Sequence, residues 1–167
     1  MNATLVYSCV LVANRLTVVV RQSAITEEAR TLEIRVDGAV RAQVTLRPWN
    51  LPCFAATDDE LVVWGGVRAY FLAAKSEDVL QVGFEEEICA LYRLSTSWCV
   101  ICEASILLWQ REKGVQVAQC QHDEVFVDTW WEGSRLLAKD LRDRVYEVII
   151  DEPRHLVELR TAESTRP

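Results

Sequence analysis

The chain has 167 residues, of which 50% are apolar and 26% are charged, and its net charge is −7. This length fits one domain or two very small ones, and the apolar content is enough for a large core. The acidic balance excludes a binder of nucleic-acid backbones, because that affinity comes mainly from clustered Lys and Arg, and it disfavours an anionic membrane surface.

The N-terminal residues 1–20 are apolar enough to raise the question of a signal peptide. They lack a basic first region, Arg15 interrupts the apolar run, and no small-residue cleavage site follows. No apolar stretch approaches the ~18–20 residues that are needed to cross a bilayer. We therefore expect a cytoplasmic protein whose six cysteines are reduced.

The first quarter of the chain predicts short strands. β-Branched runs at residues 5–12 and 16–21 are separated by Ala13-Asn14, and the runs 32–36 and 40–46 flank Asp37-Gly38. Asp-Gly between two strands is a strong hairpin signal, because both central residues of a type I′ turn need a positive φ. The sequence therefore predicts a hairpin here.

Residues 48–60 predict an irregular connection. Pro48 and Pro52 exclude a central strand, because proline cannot donate a hydrogen bond to a neighbouring strand. We expect a single β domain over residues 1–160, with a possible sub-boundary at 48–60, and a flexible tail at 161–167.

A weak internal repeat follows. The pattern at residues 61–72 recurs 37 residues later at 98–109, the pattern at 79–82 recurs 36 residues later at 115–118, and a shortened third copy covers 130–150. Each copy predicts strand, tight turn, strand, turn and strand, which is a β-meander that cannot bury its apolar face alone.

In length and rhythm, residues 61–150 resemble the blades of β-propellers. We therefore expect an all-β fold with little helix, in which antiparallel meanders form a sandwich, a partly open barrel or a propeller-like arrangement.

Four residues have a spacing that could bind zinc: Cys99, Cys102, Cys120 and His122. Two cysteines three apart on a continuous strand point to opposite faces, so a metal site would need a turn where the pattern predicts a strand. The alternative, which we favour, is that these cysteines are small apolar core residues and that the protein has no cofactor.

Catalytic motifs are missing from the sequence. It contains no phosphate-binding glycine loop and no nucleophile elbow, and adjacent strand positions cannot bring Cys120, His122 and Asp123 together as a nucleophile and base. We therefore expect a binding protein and not an enzyme.

Two groups of residues are candidates for binding a partner. Acidic residues lie at predicted strand ends, where the repeat would place them on one rim: Glu85, Glu86, Glu87, Asp123, Glu124 and Asp128. Of Trp130 and Trp131, adjacent on a strand, one must face away from the core, and an outward Trp near a turn is a common interface anchor.

These groups suggest a small acidic inhibitor or immunity-type protein that binds a basic protein through charge steering. The alternatives are a β-barrel or sandwich that binds a small molecule in a tryptophan-walled pocket, or a zinc-structured module. Homo-oligomers are expected in each case, because an incomplete meander gains by covering its strand edges.

Overall fold

The computed structural model describes residues 11–13, 16–25, 30–36, 39–46, 53–57, 60–73, 79–110 and 112–162. Within these ranges every regular element is a β-strand, and the strands form four antiparallel sheets of four strands each. Each sheet is an open meander in which strands consecutive in sequence are neighbours. The predicted all-β class is confirmed, in its blade-like form.

The first sheet contains β1 (Leu11–Ala13), β2 (Leu16–Ile25), β3 (Arg30–Val36) and β4 (Ala39–Leu46). Val36 pairs with Ala39, so a two-residue connection joins β3 to β4 and the predicted hairpin is confirmed. Asp37 and Gly38 themselves, like residues 5–10 of the first predicted strand, lie outside the described residues.

The second sheet contains β5 (Cys53–Ala56), β6 (Glu60–Gly65), β7 (Arg68–Ala73) and β8 (Val79–Gly83). β5 falls inside the stretch for which the sequence predicted an irregular connection. Among the described strands it pairs with β6 alone, at the edge of its sheet, which is where a strand can follow a proline-containing segment.

The third sheet contains β9 (Ile88–Arg93), β10 (Trp98–Cys102), β11 (Ser105–Gln110) and β12 (Val115–Gln121). The fourth contains β13 (Phe126–Glu132), β14 (Arg135–Asp140), β15 (Val145–Asp151) and β16 (Leu156–Thr161). The first two copies of the repeat begin in the second strand of a sheet, at Leu61 and Trp98. The third copy begins one strand earlier, at Trp130 in β13.

The chain divides into two compact units, Met1–Glu85 and Glu86–Pro167, and each unit holds two sheets. The sub-boundary expected at residues 48–60 stays a prediction, as does the flexible tail, of which residues 163–167 lie outside the described ranges.

The core follows from strands whose apolar runs are continuous. β6 and β10 are buried along their whole length, as expected for strands that are covered on both faces. In the second unit, one apolar cluster joins the third and fourth sheets, with its members on six strands: Cys99, Ile101, Ile106, Phe126, Leu136, Ala138, Val148 and Val157. This cluster fixes the two sheets of the second unit against each other.

None of the described segments forms a helix long and apolar enough to span a membrane.

Candidate binding surface

The strands of the second unit end in two groups of loops. We name one group, residues 86–87, 103–104, 122–125 and 141–144, the Asp140 end. Backbone hydrogen bonds link these loops in series, from the N–H of Glu103 to the carbonyl of Glu87, from Phe126 to Glu103 and from Leu141 to Val125. The loops 94–97, 133–134 and 152–155 lie at the opposite ends of the strands, and we name them the Glu152 end.

Asp140 is a fully buried carboxylate that organises the first of these ends. Its Oδ1 accepts the backbone N–H groups of Arg142 and Arg144 at 2.9 Å each, and its Oδ2 accepts Nε of Arg144 at 2.7 Å. His122 Nε2 lies 3.3 Å from the same Oδ2. Burial alone would raise the pKa of Asp140, but these hydrogen bonds outweigh it and lower that pKa to about 2. The cluster therefore closes the turn between β14 and β15.

The structure brings four of the predicted rim acids to the Asp140 end, and three of them have an internal partner there. Glu86 Oε2 accepts the backbone N–H of Ala104 at 2.8 Å. Asp123 lies 3.4 Å from Arg144, and Glu124 forms an ion pair with Arg142. These acids therefore stabilise loops of the second unit.

The other predicted acids are spread out. Glu85 is exposed and belongs to the first unit, whereas Glu87 is half-buried at the Asp140 end. Asp128 is exposed on β13, where its Oδ1 accepts the backbone N–H of Thr129 at 2.8 Å.

The two tryptophans have different environments, as neighbours on a strand must. Trp131 is 45% exposed, and its ring packs edge-to-face on Tyr92 with 5.8 Å between the ring centroids. Trp130 is half-buried. β13 runs from Phe126 at the Asp140 end to Trp131 near the Glu152 end, a distance of roughly 16 Å at 3.3 Å per residue. The structure thus does not bring Trp131 and the three clustered acids together on one surface.

An open groove of about 520 Å³ lies beside Trp131 at the Glu152 end. Its apolar walls come from three strands, the turn between β9 and β10 and the turn after β15: Leu94, Trp131, Leu136, Val148, Ile149, Ile150 and Pro153. Sequence reasoning found Trp131 but missed the rest, because the groove is assembled from residues up to 59 positions apart in the chain.

Glu152 connects the two sheets at this end. Its carboxylate accepts the backbone N–H groups of Ser95 at 3.0 Å and Thr96 at 2.8 Å. The hydroxyls of Ser95, Thr96 and Ser97 also donate to it. Burial would raise the pKa of Glu152, but the hydrogen bonds outweigh burial and lower it to about 2. We name Glu152 and residues 95–97 the Glu152 latch.

The latch lies between the groove and a second cavity of about 320 Å³, whose lining residues are mainly of polar types. Gln110, Lys113 and His155 line that cavity, while Glu152 and Pro153 line both spaces. The only sequence signal for the latch would have been three consecutive hydroxyl residues in the turn between β9 and β10.

The candidate zinc ligands have other roles in the structure. Cys99 and Cys102 are both buried in β10, where burial raises the pKa of each thiol to about 12. Cys120 packs against the apolar cluster, and both ring nitrogens of His122 face carboxylates, those of Asp123 and Asp140. In the described part of the chain, no three His, Cys, Asp or Glu side chains are placed to hold a metal ion.

Comparisons with known proteins identify the fold. No family model matches the chain, and no curated protein matches it. Among solved structures, it resembles the WD40 domain of Toxoplasma gondii coronin, with 13% identity over 84% of this chain and 42% of that one, at a TM-score of 0.55.

A chain of the mitotic checkpoint complex matches with 11% identity over 95% of this chain and 54% of its own, at a TM-score of 0.58. The computationally designed Ika4 protein matches with 12% identity over 78% of this chain and 83% of its own, at a TM-score of 0.52. The chain thus spans about half the length of the first two. At these identities the likeness shows the fold alone, and it confirms that the sheets are β-propeller-type blades.

Proposed function

We propose that this chain binds another protein through the groove at the Glu152 end, with Trp131 as the central contact. The observation that carries the proposal is the exposed Trp131 ring at the edge of an apolar groove. Tyr92 holds the ring from one side, so little side-chain freedom is lost when a partner covers it. Trp is enriched among the residues that dominate interface energies.

The partner's contacting segment would carry an apolar side chain for the groove and basic side chains around it. Support for the basic character is the net charge of −7, together with Asp151 in the groove wall. Charge of this sign accelerates the approach of a basic protein over distances of about 10 Å at ordinary salt. An acidic inhibitor or immunity-type protein is the concrete form of this proposal.

The clustered acids Glu86, Asp123 and Glu124 would contribute to that attraction at long range. Direct contact with a partner would require them to give up the Ala104 N–H group, Arg144 and Arg142. Such exchanges add little net free energy, because exposed ion pairs contribute about 0–1 kcal/mol each.

The test is quantitative capture from the native lysate with three baits: the wild-type chain, Trp131→Ala and Leu141→Ala. Leu141 is an exposed apolar residue at the Asp140 end and serves as the matched control. We expect a partner whose recovery falls at least tenfold with Trp131→Ala, is unchanged with Leu141→Ala and decreases as salt rises. A partner that is recovered equally by all three baits contradicts the groove as the contact.

Binding of a small molecule is a second candidate, because 520 Å³ lies within the usual range of about 300–1,000 Å³ for ligand pockets. Such pockets bury most of their ligand, whereas this groove is partly open to solvent, so a protein segment suits it better. A fragment screen that finds compounds binding to the wild-type chain and not to Trp131→Ala would favour this candidate.

A second copy of the chain is also a proposed partner, on the ground that each sheet, as far as the structure describes it, has two edge strands. Sedimentation of the purified chain over a range of concentrations tests this. A mass that stays at 19.1 kDa at every concentration contradicts self-association.

The cytoplasm is the proposed location, and this proposal rests on the sequence alone.

A further inference from the structure

The Glu152 latch combines accessible hydroxyl groups with a fixed negative charge. Ser95 and Thr96 are exposed, whereas Ser97 is fully buried and out of reach of a modifying enzyme. The hydroxyl and backbone N–H of Ser95 both donate to the same oxygen of Glu152, so any group added to the Ser95 oxygen must lie next to that carboxylate.

We propose that Ser95 is a phosphorylation site and that phosphate at this position opens the Glu152 latch. The consequence of phosphorylation for partner binding rests on the function proposed above, whereas the opening of the latch does not.

The reaction is an ordinary phosphoryl transfer from a nucleoside triphosphate held by a protein kinase. The Ser95 hydroxyl oxygen forms a bond to the γ-phosphorus, and the bond from that phosphorus to the bridging oxygen breaks. The nucleoside diphosphate leaves, and the hydroxyl proton passes to a base of the kinase. The product carries roughly −1.5 to −2 charges at neutral pH.

Two electrostatic interactions then act on the phosphate, a repulsion from Glu152 and an attraction to Lys113. Glu152 is ionised at neutral pH, because its pKa lies at about 2, so phosphate and carboxylate repel each other at hydrogen-bonding distance. Lys113 lines the polar cavity together with Ser95 and Glu112, and it offers a cation for the phosphate. The phosphate therefore moves toward that cavity, and the Glu152 carboxylate moves away from residues 95–97 in the turn between β9 and β10.

Opening the latch changes the groove because the same residues form its wall. Glu152 and Pro153 line both the groove and the polar cavity. Once Glu152 is released, this wall keeps the hydrogen bonds within its own turn, from the His155 N–H to the Glu152 carbonyl and from the Arg154 N–H to Asp151, but loses those to residues 95–97. The modification would therefore alter the surface next to Trp131.

The test places phosphoserine at position 95 of the full chain by genetic code expansion and follows amide hydrogen exchange. We expect exchange at residues 95–97 and 152–155 to become at least tenfold faster than in the unmodified chain. In the Glu152→Gln background, which keeps the side-chain shape without the charge, phosphoserine should change exchange less than twofold. Ser95→Ala is the control for loss of the hydroxyl alone.

Unchanged exchange with phosphoserine 95, or an equal change in the Glu152→Gln background, overturns the opening. Accessibility is tested by treating the folded chain with a panel of Ser/Thr kinases and magnesium ATP. Phosphate mapped to Ser95 supports the site, and phosphate found only at other hydroxyls overturns it. If phosphoserine 95 opens the latch but a partner binds the wild-type chain and Trp131→Ala equally well, the proposed function is contradicted and the opening of the latch is supported.

Discussion

Glu152 shows how one carboxylate can hold two sheets together. It lies in the turn after β15, while the described groups that donate to its carboxylate lie in the turn between β9 and β10. Two backbone N–H groups and three hydroxyls would otherwise need water at this end. The structure thus uses a charged acceptor, which makes stronger hydrogen bonds than a neutral one.

Replacing Glu152 by Gln should weaken this connection without changing the side-chain volume. We expect the free energy of unfolding to fall by about 1–3 kcal/mol, since hydrogen bonds to a charged acceptor are lost or weakened. Urea denaturation measures it, with Glu158→Gln on an exposed position of β16 as the control. Equal losses in the two variants would show that Glu152 has no special role.

The low pKa of Glu152 also predicts how stability depends on pH. A carboxyl whose pKa is lower in the folded chain than its ordinary 4.5 stabilises the fold above that value. This contribution is lost as the pH falls through about 2, the folded value. Between these limits the wild-type chain should lose more stability than Glu152→Gln, as thermal unfolding at pH 6, 4 and 3 would show. Parallel pH profiles would contradict the assignment.

For single residues, the sequence predicts whether a side chain faces outward, but it does not predict which groups that side chain contacts. Strand alternation requires that one of Trp130 and Trp131 faces outward, and the structure places Trp131 there. The partners of the acids were not predictable, since Glu86 meets Ala104 and Glu152 meets Thr96 across 18 and 56 positions of the chain. Charge runs are local patterns, whereas these hydrogen bonds depend on how the sheets pack.

Among the elements, the strands themselves were the most predictable feature. The continuous apolar run of β10 and the turn signal at Asp37-Gly38 both gave the correct element type. The start of each blade was not predictable, because any two neighbouring strands of a meander share the pattern of strand, turn and strand. The third copy of the repeat is therefore displaced by one strand.

The turn between β13 and β14 depends on Gly133, whose φ of 61° is rarely adopted by other residues. Gly133→Ala should lower the free energy of unfolding by about 1 kcal/mol through backbone strain alone, since a Cβ there meets nothing within 4 Å. Gly83→Ala, where a Cβ also meets nothing but φ is ordinary, is the control and should be nearly neutral. Similar losses in both variants would contradict this explanation.

For the whole molecule, composition and the repeat predicted a helix-poor β fold of antiparallel meanders, with a propeller-like arrangement as one of three alternatives, but not its organisation. Four sheets in two units became visible only in three dimensions, because the N-terminal hairpins show no repeat of the later pattern. The groove could not be predicted from the sequence, because its walls come from β13, β14, β15 and two turns that meet only in the folded chain. Net charge predicted the sign of a partner's charge and nothing about the place of contact.

Site-specific photo-crosslinking tests the proposed contact most directly. A photoreactive phenylalanine analogue is placed at position 131 in one chain and at position 141 in another, and each is irradiated with the captured partner. We predict a covalent adduct from position 131 and none from position 141. An adduct from position 141 alone, or equal yields from both, would show that the partner does not bind in the groove beside Trp131.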